Sequence, residues 1–368
     1  MHLPPFKLER YFARYEFDVE YLLCASDCES TSVQELLALE PEAAERLQQL
    51  RLGYSESAGS PALRQAIAGM YTTIQPEQVL VFSGAEEAIY LFMQARLGPG
   101  DHVVVHWPCY QSLYAVAQAL GCQISPWAAR EEHGWSLDLD VLDDLLRPNT
   151  RAIILNTPHN PTGYLMPAED FAALNRLAQA RGMVLFSDEV YRESEYDPAT
   201  RLPAACDVNE IAISLGVLSK TYGLPGLRIG WIATHDAELY QQLAALKDYT
   251  TICNSAPSEL LAEVAVRHRE SLAGRNVARI KRNLSLLTAF FSRHQELLSW
   301  QPPKAGPIAF PRLLQGEVEA FCDRLVREAS VLLLPGDIYD DTGNHFRLGF
   351  GRENMPEALQ QWEAWLRR

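Results

Sequence analysis

Lys220 stands directly after a run with the character of a buried strand, in Ser219-Lys220-Thr221-Tyr222-Gly223-Leu224-Pro225-Gly226-Leu227-Arg228-Ile229-Gly230-Trp231. Desolvation disfavours a charged amine there and lowers its pKa. A partly neutral amine is what captures a carbonyl as a Schiff base. Arg228 lies eight residues on, inside a Gly-rich turn, where the backbone can approach a ligand closely and a guanidinium can grip a phosphate. Ser83-Gly84-Ala85-Glu86-Glu87-Ala88 reads as a helix start whose backbone N–H groups favour an anion. Taken alone, it is equally an ordinary capped helix start.

These residues need a frame, and short apolar runs provide one. Val79–Ser83, His102–His106, Ala152–Asn156, Val184–Ser187, Ala212–Leu215 and Gly230–Thr234 read as buried strands, several rich in β-branched residues and bounded by Gly, Pro or Asp. Segments with helical spacing, such as Ala168–Ala180, lie between them. Alternation of this kind predicts a largely parallel sheet covered on both faces, and ligands of such sheets bind beyond the carboxyl ends of the strands. Ser83-Gly84-Ala85, Trp107-Pro108, Asn156 to Gly163, Asp188 and Ser219-Lys220 each follow a predicted strand, so they converge on one edge. Beyond about residue 255 the pattern changes to one long helical stretch, Leu260 to His294. Strand-like pieces follow at Ile308–Phe310, Val331–Leu334 and Phe346–Phe350.

Composition narrows the function classes. The 368 residues carry a formal net charge of −15 without a basic face, which argues against nucleic acid as a partner. No signal-peptide pattern or membrane-length apolar run is visible. The seven cysteines are scattered, with no C-x-x-C, as expected for reduced thiols in a cytoplasmic protein without a metal site.

The Ser219–Trp231 run together with Asn160-Pro161-Thr162-Gly163 resembles the class I/II aminotransferases, pyridoxal 5′-phosphate (PLP) enzymes of fold type I, and the resemblance covers nearly the whole chain. It implies an α/β fold: a large domain with a mostly parallel seven-stranded sheet between helices (46–255), and a smaller discontinuous α+β domain (1–45 and 256–368). It implies that Lys220 carries PLP as a Schiff base and acts at the substrate Cα. Asp188 would pair with the pyridine nitrogen and keep the ring an electron sink, while Tyr191 and Asn160 would hold the ring's 3-oxygen. Gly84, Ala85 and Glu86 (through its backbone alone), with Ser219 and Arg228, would cradle the phosphate, and Tyr110 would stack on the ring. Arg347, in Phe346-Arg347-Leu348-Gly349-Phe350, would bind the substrate α-carboxylate with two prongs. Tyr54 resembles the tyrosine lent to the phosphate by a partner subunit, which implies a homodimer with a shared active site.

The chain departs from the family pattern in two places. Val217 stands where a phosphate-binding serine is common. Near the N-terminus, where a glycine usually covers the substrate, the chain reads Ala25-Ser26-Asp27-Cys28-Glu29, with Glu9 upstream. Acids beside the substrate side chain would select a cation such as a guanidinium. Alternatively Glu9, Asp27 and Glu29 are solvated or cap helices, since Ser30 to Ser32 precede an apolar run. The expectation is an aminotransferase of a free L-amino acid, with an arginine-like side chain as the candidate substrate and Ser26, Asp27 and Glu9 near it. The alternative is a cyclase of a hydroxylated arginine, because the capreomycidine and enduracididine synthases resemble aminotransferases throughout.

Overall fold

The computed structural model describes residues 2–368. Seven strands form the central sheet: β1 Val79–Phe82, β2 His102–Trp107, β3 Gln123–Ala128, β4 Thr150–Asn156, β5 Val184–Asp188, β6 Ile213–Val217 and β7 Gly230–Thr234. Their spatial order is β1-β7-β6-β5-β4-β2-β3. Adjacent pairs from β3 to β6 are parallel, whereas β7 runs antiparallel to both β6 and β1. The strands β1, β6 and β7 are buried along their whole length, as continuous apolar runs covered on both faces should be.

β3 is an addition to the strands expected from sequence. It lies at the sheet edge, contains Pro126 and alternates between exposed and buried positions. An edge strand tolerates a proline that a central strand would not.

The expected continuous helix from Leu260 to His294 is two helices, Ala256–Arg267 and Arg269–Arg293, meeting at His268. The first helix and the opening turn of the second (Leu272, Ala273) share one core, and the rest of the second serves another. Leu261, Val264 and Val266 of the first pack with Leu36, Leu63, Val79 and Trp231, beside β1 and β7. Ile280, Leu287, Phe290 and Phe291 of the second pack with Phe346, Leu348 and Trp362. That second core supports a three-stranded antiparallel sheet ordered Leu334–Pro335, Phe346–Gly349, Ile308–Ala309. Of the expected strand at 331–334, only Leu334 belongs to this sheet, and Val331 instead bridges to Tyr21. Among the described residues, no helix is long and apolar enough to cross a membrane.

Two close approaches bring the C-terminal sheet to the site. Gly163, at φ +69°, sits where a Cβ would lie 2.3 Å from Pro303 Cβ and 2.7 Å from the Ile308 carbonyl oxygen. At Gly349 a Cβ would lie 1.9 Å from the Ala25 carbonyl oxygen, so the Arg347 strand lies flush against the 24–27 segment. Gly349→Ala should therefore destabilise the fold by about 1–3 kcal/mol through overpacking, read from the midpoint of denaturant unfolding against wild type.

Candidate active site

A cavity of about 320 Å³ opens at the carboxyl edge of the sheet. It is lined by Glu9, Ser26, Asp27, Ala85, Glu86, Tyr110, Asn160, Asp188, Tyr191, Ser219, Lys220, Arg228 and Arg347. Thirteen of the fifteen expected residues thus meet in one place, with Gly84 immediately behind Arg228. Tyr54 is not among them; its side chain is 92 % exposed.

The antiparallel β7 explains how Arg228 arrives. It precedes the strand, so the entry to β7 lies at the same edge as the exits of β1 and β6; Gly230 pairs with Phe82 and with Val217. The helix Ala85–Arg96 begins there at Gly84, with no side-chain cap. Gly84 has φ +86°, and a Cβ on it would lie 2.7 Å from Arg228 Nη2. At Gly230 a Cβ would lie 2.8 Å from the Ala85 nitrogen. Two glycines thus allow a guanidinium and a free helix N-terminus to meet, which makes a site for a doubly charged anion. Among the described residues no carboxylate pairs with Arg228.

Lys220 donates from Nζ to Ser26 Oγ at 2.9 Å. Burial lowers its pKa; Asp27 opposes that shift, and Arg347 adds to it. Asp188 ends β5 opposite Asn156 of β4. Its Oδ1 accepts from the Val190 N–H at 3.2 Å, and burial raises its pKa to about 7. Tyr191 is buried with its hydroxyl unpartnered, and burial pushes the phenol pKa upward.

The Asn160 loop and the Tyr110 loop are tied together by His159. Burial lowers this imidazole's pKa to about 3, so it is neutral and has one donor and one acceptor nitrogen. Nε2 lies 2.8 Å from the Pro108 carbonyl oxygen and must donate to it, leaving Nδ1 to accept from Thr162 Oγ1 at 2.7 Å. The threonine of the Asn-Pro-Thr-Gly run is therefore a positioning group.

Arg347 is 1 % exposed, and among the described residues no carboxylate faces it. Its Nε and Nη2 donate to the Cys24 carbonyl oxygen at 3.1 and 2.9 Å, and Nη1 donates to Asn160 Oδ1 at 3.3 Å. A buried guanidinium satisfied only by neutral acceptors is suited to an incoming carboxylate.

Sequence reasoning missed four contributors, Leu8, Phe12, Glu16 and Arg352. Helix α1 (Lys7–Tyr15) lies beside the cavity, and Leu8, Glu9, Phe12 and its C-terminal neighbour Glu16 all line it. Glu9 and Glu16 are seven residues apart and share a face. Arg352 also lines the cavity and donates to Asp27 Oδ1 at 2.8 Å. The spacing of Glu9, Phe12 and Glu16 was a usable signal, whereas nothing local marks Arg352. Glu29 is structural, accepting from the Glu353 N–H at 2.9 Å, and Ser32 caps the helix Val33–Leu37. Glu86 was expected to offer only its backbone. Its carboxyl in fact lines the cavity and accepts from Ser112 Oγ at 3.1 Å, and burial raises its pKa to about 7. A carboxyl that is partly protonated near neutral pH is more tolerable beside an anion than a fixed charge.

The family model described as aminotransferase class I and II matches residues 21–361. The chain belongs to the class I and II aminotransferases. It is 31 % identical over 351 residues to capreomycidine synthase of Streptomyces vinaceus, covering 95 % of this chain and 90 % of that protein. It is 30 % identical over 331 residues to the arginine–pyruvate transaminase AruH of Pseudomonas aeruginosa, covering 84 % and 81 %. Among solved structures, a PLP-dependent aminotransferase from Streptococcus suis superposes with TM-score 0.94 at 34 % identity, covering 100 % of this chain and 99 % of that one. The PLP-dependent cyclase OrfR superposes with TM-score 0.92 at 34 % identity, covering 100 % and 98 %.

The family's cofactor is pyridoxal 5′-phosphate, and the residues present fit it. The Gly84–Arg228 cradle suits the phosphate, and the orphaned Tyr191 hydroxyl suits a ring substituent. Burial keeps the Asp188 pKa raised even though Lys220 lowers it, and a protonated ring nitrogen would lower it further. Borohydride treatment of the holoenzyme should add the reduced cofactor's mass to the wild-type chain and nothing to Lys220→Ala, as read by intact-mass spectrometry.

Proposed function

We propose that this aminotransferase-family enzyme removes the amino group of a free L-amino acid whose side chain is cationic and guanidinium-like. The placement of α1 carries this reading. It sets Glu9 and Glu16 into the cavity that holds Asp27, Lys220 and Arg347. α1 is anchored at its first residue and its middle: the Lys7 N–H donates to Gln111 Oε1 at 2.8 Å, and Tyr11 donates to the Leu333 carbonyl oxygen at 2.9 Å. Burial, then Glu9 and Asp27, raise the pKa of Glu16, and Arg352, already paired with Asp27, opposes that only in part. A substrate cation would relieve what remains. The arginine–pyruvate transaminase relative supports the same substrate class.

In this reading PLP supplies the electron sink that makes the Cα–H bond acidic. Arg347 binds the α-carboxylate and fixes which Cα bond faces Lys220. Asp188, ionised against the ring nitrogen, keeps that nitrogen protonated. Lys220 Nζ, held by Ser26 and with a lowered pKa, takes the Cα proton as general base and is the group placed to redeliver it.

Elimination and ring closure on a hydroxylated arginine is the second reading, supported by the likeness to the Streptomyces synthase and to the OrfR cyclase. Both share every step through loss of the Cα proton. They part over whether the nitrogen is retained, and product mass decides. With L-arginine and pyruvate the enzyme should yield a keto acid and alanine. Loss of water from γ-hydroxyarginine with the amine retained, and no alanine, would overturn amino transfer. Because Glu16 must ionise to attract the cation, KM for L-arginine should fall as pH rises through the acid range. Glu16→Gln should flatten that dependence and raise KM by roughly tenfold, as expected for one lost charge pair in a partly buried site.

We also infer a homodimer in which Tyr54 reaches the partner's phosphate site. Leu52, Tyr54, Tyr249 and Ile252 are all exposed. Their loops adjoin, since Ser55 Oγ donates to the Asn254 carbonyl oxygen at 2.8 Å and Ser57 Oγ to Asp248 at 3.2 Å. Contiguous exposed apolar side chains mark an interaction surface. Light scattering should report twice the chain mass, and a fully active monomer would refute the arrangement.

A further inference from the structure

We propose that Tyr339 is a positioning residue that sets the orientation of the Asn160 amide and the rotamer of Arg347 through one directed hydrogen-bond chain. The inference rests on the reading that Asn160 serves the cofactor's 3-oxygen. Tyr339 lies at the end of the short 3₁₀ turn Gly336–Tyr339 and is 2 % exposed. Its hydroxyl lies 3.0 Å from Asn160 Oδ1 and also contacts Arg347 Nη1.

Proton counting fixes the direction of every bond. A guanidinium has donors only, so Arg347 Nη1 must donate to the Tyr339 oxygen. The single Tyr339 proton is then directed to Asn160, and the atom receiving it must be Oδ1. Arg347 Nη1, 3.3 Å from that same atom, makes the same demand. With Oδ1 held by two donors, the Asn160 amide nitrogen has no protein acceptor among the described residues. It is left as the free donor at the cavity. The Asn160 N–H, donating to Asn156 Oδ1 at 2.6 Å, fixes the backbone of the same residue.

The turn that presents Tyr339 is itself clasped. The Gly336 N–H donates to the His345 carbonyl oxygen at 2.8 Å, and a Cβ on Gly336 would lie 2.6 Å from that oxygen. His345 Nδ1 lies 2.9 Å from Asp341 Oδ2, and Nε2 lies 3.1 Å from Glu131 Oε2. The Tyr339 ring packs edge-on against Phe310, with the Arg347 guanidinium carbon 5.7 Å from its centroid. A phenylalanine would keep those ring contacts and lose only the hydroxyl, which makes the test specific.

Holoenzyme of Tyr339→Phe and of Asn160→Ala should be compared with wild type by titrating the absorbance of the Lys220-bound cofactor against pH, with thermal melting as the check on folding. Donation to the 3-oxygen favours its deprotonated form, so losing or misaligning the donor raises the apparent pKa. Both variants should shift it upward, Tyr339→Phe by about half a unit to one unit, with a KM for the amino acid raised roughly tenfold. A shift in Asn160→Ala with a wild-type titration in Tyr339→Phe would overturn the role of Tyr339 while leaving Asn160 in place. No shift in Asn160→Ala would overturn the reading of Asn160 and this proposal with it.

Discussion

A buried guanidinium without a counter-ion organises this molecule. Arg347 is held by the Cys24 carbonyl oxygen from the N-terminal segment, by Asn160 from the loop after β4, and by Tyr339 from the C-terminal turn. Withdrawing such a charge from water costs several kcal/mol, and neutral acceptors offset only part of that. A carboxylate is the kind of group that would complete such a site. The same contacts join three distant stretches of chain, so whatever displaces Arg347 also loosens the seam among them. The glycines at 163 and 349 belong to this arrangement: Gly163 admits the C-terminal sheet at Ile308, and Gly349 admits the N-terminal segment at Ala25.

The central sheet was legible because its strands are buried on both faces and read as uninterrupted apolar runs. Its cofactor edge was legible for a related reason. Residues that follow parallel strands are forced to one rim, so Gly84, Asn160, Asp188 and Lys220 could be placed without knowing the strand order. Arg228 could not be placed by that rule. It stands before a strand, and only the antiparallel setting of β7 returns it to the rim. β3 escaped notice because an edge strand with a proline alternates in burial and imitates a loop. The break at His268 carries no glycine or proline, so it has no local signature in the sequence.

The acids around the substrate show a finer version of the same limit. Glu9, Asp27 and Glu29 stood out as charges in an unexpected place, and the sequence reading put Glu9 and Asp27, but not Glu29, near the substrate. Glu29 turned out to hold a backbone N–H near the C-terminal helix, and Asp27 faces the cavity already paired with Arg352. Glu16 is the acid whose environment is most strained, and it was invisible until α1 was seen to lie along the cavity with Phe12 between its two carboxylates. Which acids matter depends on the docking of one nine-residue helix rather than on their number.

That docking bears on the reaction as well as on the substrate. On the proposed reading Lys220, Asp188 and Arg347 serve the loss of a proton from Cα, and they would do so for any amino acid that fits. What happens next depends on what the substrate side chain carries and on how it is held while the charge at Cα persists. A guanidinium gripped from the α1 side would stay extended, and Lys220 would pass the proton on to the cofactor carbon rather than back to Cα, so that water could release the keto acid and leave the nitrogen behind for transfer. A side chain bearing a leaving group, held so that the group aligns with the developing charge, would instead expel it before that proton is delivered. The two outcomes would then be a competition between proton delivery to the cofactor carbon and leaving-group loss within one cavity. The carboxylates of α1 would act on that competition through the angle at which they hold the guanidinium, while the lysine would act on both branches alike.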